Sequence, residues 1–214
     1  MAVLLNDQRT FFREFRRNFR TTGAVLPSGR RLSAALTRFI TPSGPPKRIL
    51  EAGPGTGAVT RAILESLGSQ DRLDLVEWNQ AFVDRLRHRF HAHPLFRAAA
   101  TRCRVLHNKV EELDTDHSYD VIVSGLPLNN FEPDDVDRIL GAYERLLKPG
   151  GVISFFEYAA VRPAKALLSK PPERERLRDV SRLMRLWLTR HEIAREMVVA
   201  NIPPAWVHHV RPFC

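Results

Sequence analysis

The chain of 214 residues, 43% hydrophobic, is long enough for one sizeable domain and too apolar for wholesale disorder. Its two cysteines, Cys103 and Cys214, lie far apart, which excludes a disulfide framework and a cysteine-based zinc set. Its longest run free of Asp, Glu, Lys and Arg, Met197 to Val210, is too short to span a bilayer. The net charge of +9 is local, since residues 1–48 hold ten Lys/Arg against two Asp/Glu while the remainder carries only +1.

The opening apolar run ends at Leu5, so no signal peptide is expected and the protein reads as soluble and intracellular. Over residues 1–20 a helical period gathers Phe11, Phe12, Phe15 and Phe19 on one side and Arg9, Arg13, Arg16, Arg17 and Arg20 on the other. That profile suits a helix lying in a lipid interface; the same face also suits packing on its own domain. Each buried Phe contributes roughly 1.5–3 kcal/mol, and each arginine near an anionic surface adds about 1 kcal/mol.

Thr21 to Leu26 is turn-like, and Ser28 is placed as the N-cap of a second helix running to about Ile40. Thr41–Pro46 holds three prolines and a glycine and divides an arm, 1–46, from a main domain, 47–214. Strands and helices then alternate: strand 47–52, helix 57–67, strand 72–77, helix 79–91, strands 103–107 and 119–124, helix 133–147, strand 151–158. Lys148-Pro149-Gly150-Gly151 reads as the turn before that last strand. A helix at 173–190 is followed by extended runs 193–200 and 205–211, which so tight a Pro203-Pro204 turn makes an antiparallel hairpin. The expected fold is a doubly wound, mostly parallel seven-stranded sheet ending in that hairpin. His88, His91 and His93 lack a carboxylate or cysteine to complete a metal site, and His208 and His209 point to opposite faces of a strand, so no metal is expected.

The first strand runs into Glu51-Ala52-Gly53-Pro54-Gly55-Thr56-Gly57, a turn nearly free of side chains that lets a ligand approach the backbone. The spacing is neither that of the dinucleotide turn nor that of a phosphate loop. The second strand ends at Glu77, an acid placed to accept both hydroxyls of a ribose.

These residues resemble the class I S-adenosylmethionine-dependent methyltransferases. Asn108 past the third strand and the Leu147–Gly151 turn agree with that pattern. The resemblance implies S-adenosylmethionine as cofactor, S-adenosylhomocysteine as product, and a cofactor site of Glu51, Gly53, Gly55, Gly57, Glu77, Trp78, Asn108, Lys109 and Ser124. Three segments resemble, more narrowly, the bacterial phospholipid N-methyltransferases: the aromatic-basic arm with Thr22–Ser28, then Ser124-Gly125-Leu126-Pro127-Leu128-Asn129-Asn130-Phe131, and Asn201–Val207.

That likeness implies methylation of an aminolipid headgroup, phosphatidylethanolamine or an ornithine lipid, by a monomer held peripherally on the inner leaflet of the cytoplasmic membrane. Its membrane and substrate residues would be Phe12, Phe15, Phe19, Arg13, Arg16, Arg17, Ser28, Leu126, Pro127 and Asn129. Tyr158, at the end of strand 151–158, is the candidate catalytic residue, its ring facing the cationic amine; Glu157 alternates to the other face. Two alternatives stand beside this one. Adenine N6-methyltransferases of nucleic acids carry Asn-x-Pro-Tyr/Phe where this chain has Gly125 and Leu128, so base selection loses both contacts. A non-catalytic peripheral membrane module would keep the fold without turnover.

Overall fold

The structure, a computed structural model, describes residues 28–159, 171–201 and 204–212. The aromatic-basic helix of residues 1–20 and Thr22–Pro27 lie outside the described residues, and so does the side chain of Ser28.

Seven strands and six α-helices are described: α1 (Ser28–Leu36), β1 (Arg48–Ala52), α2 (Ala58–Ser66), β2 (Arg72–Glu77), α3 (Gln80–Ala92), α4 (Pro94–Ala99), β3 (Cys103–His107), β4 (Tyr119–Ser124), α5 (Pro133–Leu146), β5 (Leu147–Tyr158), α6 (Pro171–His191), β6 (Glu192–Val198) and β7 (Ala205–Val210). They form one sheet in the order β3-β2-β1-β4-β5-β7-β6. The first five strands of that order are mutually parallel, and β7 runs antiparallel between β5 and β6. The doubly wound fold and its terminal hairpin are as expected. The central strands are almost continuously buried, which is why they read as apolar runs rather than alternations.

Each face of the sheet carries its own core. On one face Leu32, Leu36 and Ile40 pack with Ile49, Ile63, Leu75, Leu86 and Phe96. On the other, Leu50, Ile122, Ile153 and Phe155 meet Val136, Leu140, Tyr143, Val180, Met184 and Trp187. α1 therefore packs into the core of the domain, although it falls within residues 1–46. The apolar stripe of α6 is core, as its spacing suggests. At the N-terminal ends of the strands, Asp74 accepts from Arg48, Arg104 and Tyr119. Burial opposes its charge, but these three donors outweigh that and hold the carboxyl below its ordinary range.

Three boundaries differ from expectation. The helix begun at Ser28 stops at Leu36, and the hydroxyl of Thr37 returns to the Ser33 carbonyl at 3.0 Å, where the chain turns. α4 was not expected; Pro94 supplies its first turn and Phe96 anchors it in the core. β5 begins at Leu147, not at Gly151. Tyr119 pairs with Leu147 but Val121 with Val152, so Lys148–Gly151 is a bulge within the strand, with Lys148 Nζ on Asp120.

Adjacent β1 and β4 align Ala52 with Ser124. From β1 the chain winds towards β2 and β3, and from β4 towards β5. Their C-terminal ends thus open the crevice where ligands of such sheets bind.

Candidate functional site

The crevice is floored by the turn after β1. Gly53, Gly55 and Gly57 all have positive φ (70°, 54° and 80°), a region that side chains disfavour, which is why glycine recurs there. The Gly53 N–H donates to the Val76 carbonyl at 3.0 Å, tying the turn to β2. Glu77 completes that tie: Oε2 accepts the Gly55 N–H at 3.1 Å and Oε1 the Asn79 N–H at 2.8 Å. Asn79 in turn caps α3 by accepting the Ala81 N–H. Burial raises the Glu77 pKa, against the pull of the backbone N–H groups of Asn79, Gly55 and Trp78.

Glu51 is fully buried beneath the turn. Its Oε2 accepts the Thr60 hydroxyl at 2.6 Å, and Oε1 has no hydrogen-bond partner. Burial first, and the charge of Glu77 second, push its pKa up to about 8. Two carboxyls thus lie under one turn, Glu51 with an oxygen left without a partner and a raised affinity for its proton, and Glu77 tied to the backbone N–H groups of Gly55 and Asn79.

Beyond Glu77, Trp78 is 39% exposed with Lys109 Nζ 5.1 Å from its ring centroid, and its carbonyl meets His107 Nε2 at 2.9 Å. Asn108 turns inward on its own loop, its Oδ1 accepting the Lys109 N–H. The structure thus brings Trp78, Asn108 and Lys109 together beside Glu77, a wall suited to a flat ring.

The opposite lip is the loop after β4. Its N-terminal residue, Ser124, is not available to a ligand: it is fully buried, accepts the Tyr143 hydroxyl at 2.7 Å and holds the Leu126 N–H at 3.3 Å. It anchors the loop instead. A Cβ on Gly125 would stand 2.6 Å from the Gly53 carbonyl oxygen, and a Cβ on Gly53 would stand 2.4 Å from Leu126 Cδ2. The two turns touch, and Leu126 roofs the glycine floor. Leu128 is 1% exposed, inside the core. Pro127 and Asn129 are half-buried at the lip.

Arg176 of α6 fixes this loop. Its guanidinium donates to the carbonyl of Phe131 at 2.5 Å and to that of Asn129 at 3.4 Å, while Glu173 accepts from its other side. Sequence reasoning missed Arg176 and also Arg89, whose Nη1 donates to the Thr56 carbonyl at 2.6 Å. Neither stands near its partner in the sequence, so no local pattern marks them. Tyr158 is at the end of β5 as expected, but its ring lies edge-on to Phe156 on the face covered by α1. Burial raises its pKa. Glu157 is on the opposite face, 3.8 Å from His208. His208 stacks on Phe155 and His209 contacts Phe39, on opposite faces as expected. Among the described residues no group of His, Cys, Asp and Glu could hold a metal ion.

Residues 49–151 match a family model described as a methyltransferase domain. The chain is similar to the highly reducing polyketide synthase azaB of Aspergillus niger, 30% identical over 131 residues, which is 57% of this chain and 5% of that protein. It thus spans about a twentieth of that relative's length. Among solved structures it is similar to the 1,6-didemethyltoxoflavin-N1-methyltransferase of Burkholderia thailandensis, crystallised with 1,6-didemethyltoxoflavin and S-adenosylhomocysteine. The TM-score is 0.63 at 20% identity, covering 100% of this chain and 88% of that one. The N-methyltransferase NodS of Bradyrhizobium japonicum gives 0.62 at 16% identity, covering 89% and 99%. Together these likenesses show the class I methyltransferase fold, and the domain model matched by residues 49–151 agrees with it.

Proposed function

We propose that this protein is an S-adenosylmethionine-dependent methyltransferase that methylates the amine headgroup of a membrane aminolipid, phosphatidylethanolamine or an ornithine lipid, at the membrane surface. One observation carries the reading: the lip facing the glycine turn is made by Gly125 and Leu126, with Leu128 withdrawn into the core. An acceptor there meets an apolar roof and backbone carbonyls, with Gly125 where an Asn would bond a base edge and the buried Leu128 where an aromatic ring would stack on it. Such a lip suits an acceptor selected by its position at an interface rather than by its hydrogen-bonding edge.

S-adenosylmethionine, when bound, supplies a methyl group on a sulfonium. On this reading Glu77 holds the ribose, Trp78, Asn108 and Lys109 flank the adenine, and Glu51 lies beneath the cationic end. Leu126, Pro127 and Asn129 bound the approach of the amine, and Tyr158 offers a ring at the end of β5. The amine must shed a proton, which costs about 4 kcal/mol at pH 7 for a lysine-like group. A water path is enough for that.

The membrane would be met by Phe12, Phe15, Phe19, Arg13, Arg16 and Arg17 of the arm, bringing Ser28 beside the headgroup. A second basic face supports this reading. Arg178, Arg182 and Arg185 line the exposed side of α6 with Leu186, 54% exposed, and none of the three makes an ion pair among the described residues. Among the described residues no helix is long and apolar enough to cross a membrane. On this reading the protein is a peripheral monomer on the inner leaflet.

The test is incubation with methyl-labelled S-adenosylmethionine and vesicles of phosphatidylethanolamine with phosphatidylglycerol, beside vesicles of ornithine lipid and beside RNA. Label in a lipid headgroup is expected. Label in RNA alone would overturn the reading, and no label in any acceptor would favour a module without turnover. Deleting residues 1–20 should leave the domain folded and abolish flotation with anionic vesicles.

A further inference from the structure

The glycine turn has little shape of its own. Three of its five residues are glycines at positive φ, and although Leu126 crowds Gly53 and Leu86 crowds Gly57, a Cβ on Gly55 would meet nothing within 4 Å, so the middle of the turn is confined neither by side chains of its own nor by packing. Its donors and acceptors are confined from outside, by opposite charges. Glu77 takes the Gly55 N–H on the side of β2. On the side of α3, Arg89 Nη1 donates to the Thr56 carbonyl at 2.6 Å and reaches the Gly57 carbonyl at 3.4 Å. The guanidinium lies 5.2 Å from the Phe96 ring centroid, with Gly57 immediately against it.

We propose that Arg89 is a positioning residue for the amino-acid end of the cofactor, clamping the glycine turn from behind in the shape that receives it. The proposal rests on the reading of residues 53–57 as the cofactor turn, lying between Glu77, read as the ribose contact, and Glu51, read as lying beneath the cationic amino-acid end.

The setting of Arg89 is what a clamp requires and a surface arginine does not. It is half-buried, makes no ion pair among the described residues, and is flanked by Arg85 and Arg61, whose like charge adds to burial in lowering its pKa. A cation kept there without a carboxylate is held by carbonyl dipoles and a ring, and both carbonyls belong to the turn. Removing it strands the Thr56 carbonyl and frees a run of glycines to relax. Glu77 and Trp78 lie on the far side of the turn and have their own supports in Asn79 and His107. The nucleoside end should therefore be indifferent to Arg89.

Calorimetric titration of Arg89→Gln and Arg89→Lys with two ligands separates the ends. S-adenosylhomocysteine carries the amino acid; 5′-methylthioadenosine lacks it. For Arg89→Gln the expected result is a loss of roughly 10- to 100-fold for S-adenosylhomocysteine with 5′-methylthioadenosine within about threefold of the unaltered protein. Arg89→Lys keeps the charge but not the planar guanidinium that lies over the Phe96 ring, and should recover part of the loss. Equal losses for both ligands would make Arg89 a support of the fold and overturn the proposal, as would unchanged binding of S-adenosylhomocysteine. If the unaltered protein binds neither ligand, the reading of the turn falls and the proposal falls with it.

Discussion

The glycine turn 53–57 and the loop 124–131 meet across the seam of β1 and β4, yet they are stiffened by opposite means. The turn after β1 has almost no side chains, and groups from elsewhere in the chain hold its peptide bonds: Glu77 on the donors, Arg89 on the carbonyls. The loop after β4 has side chains and sends them inward, Ser124 to Tyr143 and Leu128 into the core. The floor keeps its backbone bare and borrows charge to stay in place. The lip buries the hydroxyl of Ser124 and lays Leu126 over the glycines.

The sharpest way to break that contrast is Gly125→Asn, which gives the lip the polar residue of the nucleic-acid enzymes. Its Cβ would press on the Gly53 carbonyl, backbone against backbone, where neither side can yield. Overpacking together with an unpaired amide should destabilise the protein by about 4–5 kcal/mol, read from the urea midpoint, with cofactor binding lost. A folded, active variant would mean that the two turns are independent.

Glu51 tests the floor through pH. Its carboxyl is raised from 4.5 to about 8 in the folded protein, so the folded state binds the extra proton. Stability from this group is fully present below pH 4.5 and is lost as pH rises through about 8, by roughly 5 kcal/mol at most. Glu51→Gln should remove that slope, matching the parent near pH 4.5 and exceeding it near pH 8 in ligand-free urea titrations. Parallel pH profiles would show that the buried acid is not strained.

Glu77→Ala removes the acceptor for two backbone N–H groups as well as the proposed ribose contact. A loss of about 100-fold in S-adenosylhomocysteine affinity, or about 2.7 kcal/mol, is expected by calorimetry. Smallest of all should be Tyr158→Phe. The hydroxyl has no hydrogen-bond partner among the described residues and the ring packs on Phe156, so methyl-transfer rates should stay within about threefold. A hundredfold loss would give the hydroxyl a part in the reaction that its surroundings do not suggest.

The floor was more legible in the sequence than the lip. Glycine at alternate positions and an acid at a strand end are local patterns, and Glu51, Gly53, Gly55, Gly57 and Glu77 do converge. Trp78, Asn108 and Lys109 follow because β2 and β3 are neighbours. The burial of Ser124 against Tyr143 was not legible, because position on a strand says nothing about which buried hydroxyl lies opposite. Arg89 and Arg176 are ordinary arginines within helices rich in them; only tertiary contact with carbonyls some 30 to 50 residues away sets them apart. α4 escaped notice because six residues are too few for a period to show. The start of β5 was hidden by a bulge that reads as a turn.

The strand order holds a consequence for how the protein is made. β6 lies at the edge of the sheet and pairs with β7 alone, yet β7 follows it in the chain and threads between β5 and β6. During synthesis β6 must therefore wait without a strand partner until residues 205–210 have left the ribosome, with Ile193 and Met197 among its exposed side chains. A nascent chain paused before Ala205 would hold a nearly finished sheet with an open edge on β5. That is the length at which pulse-proteolysis of stalled chains should find the protein most easily cut and most inclined to aggregate.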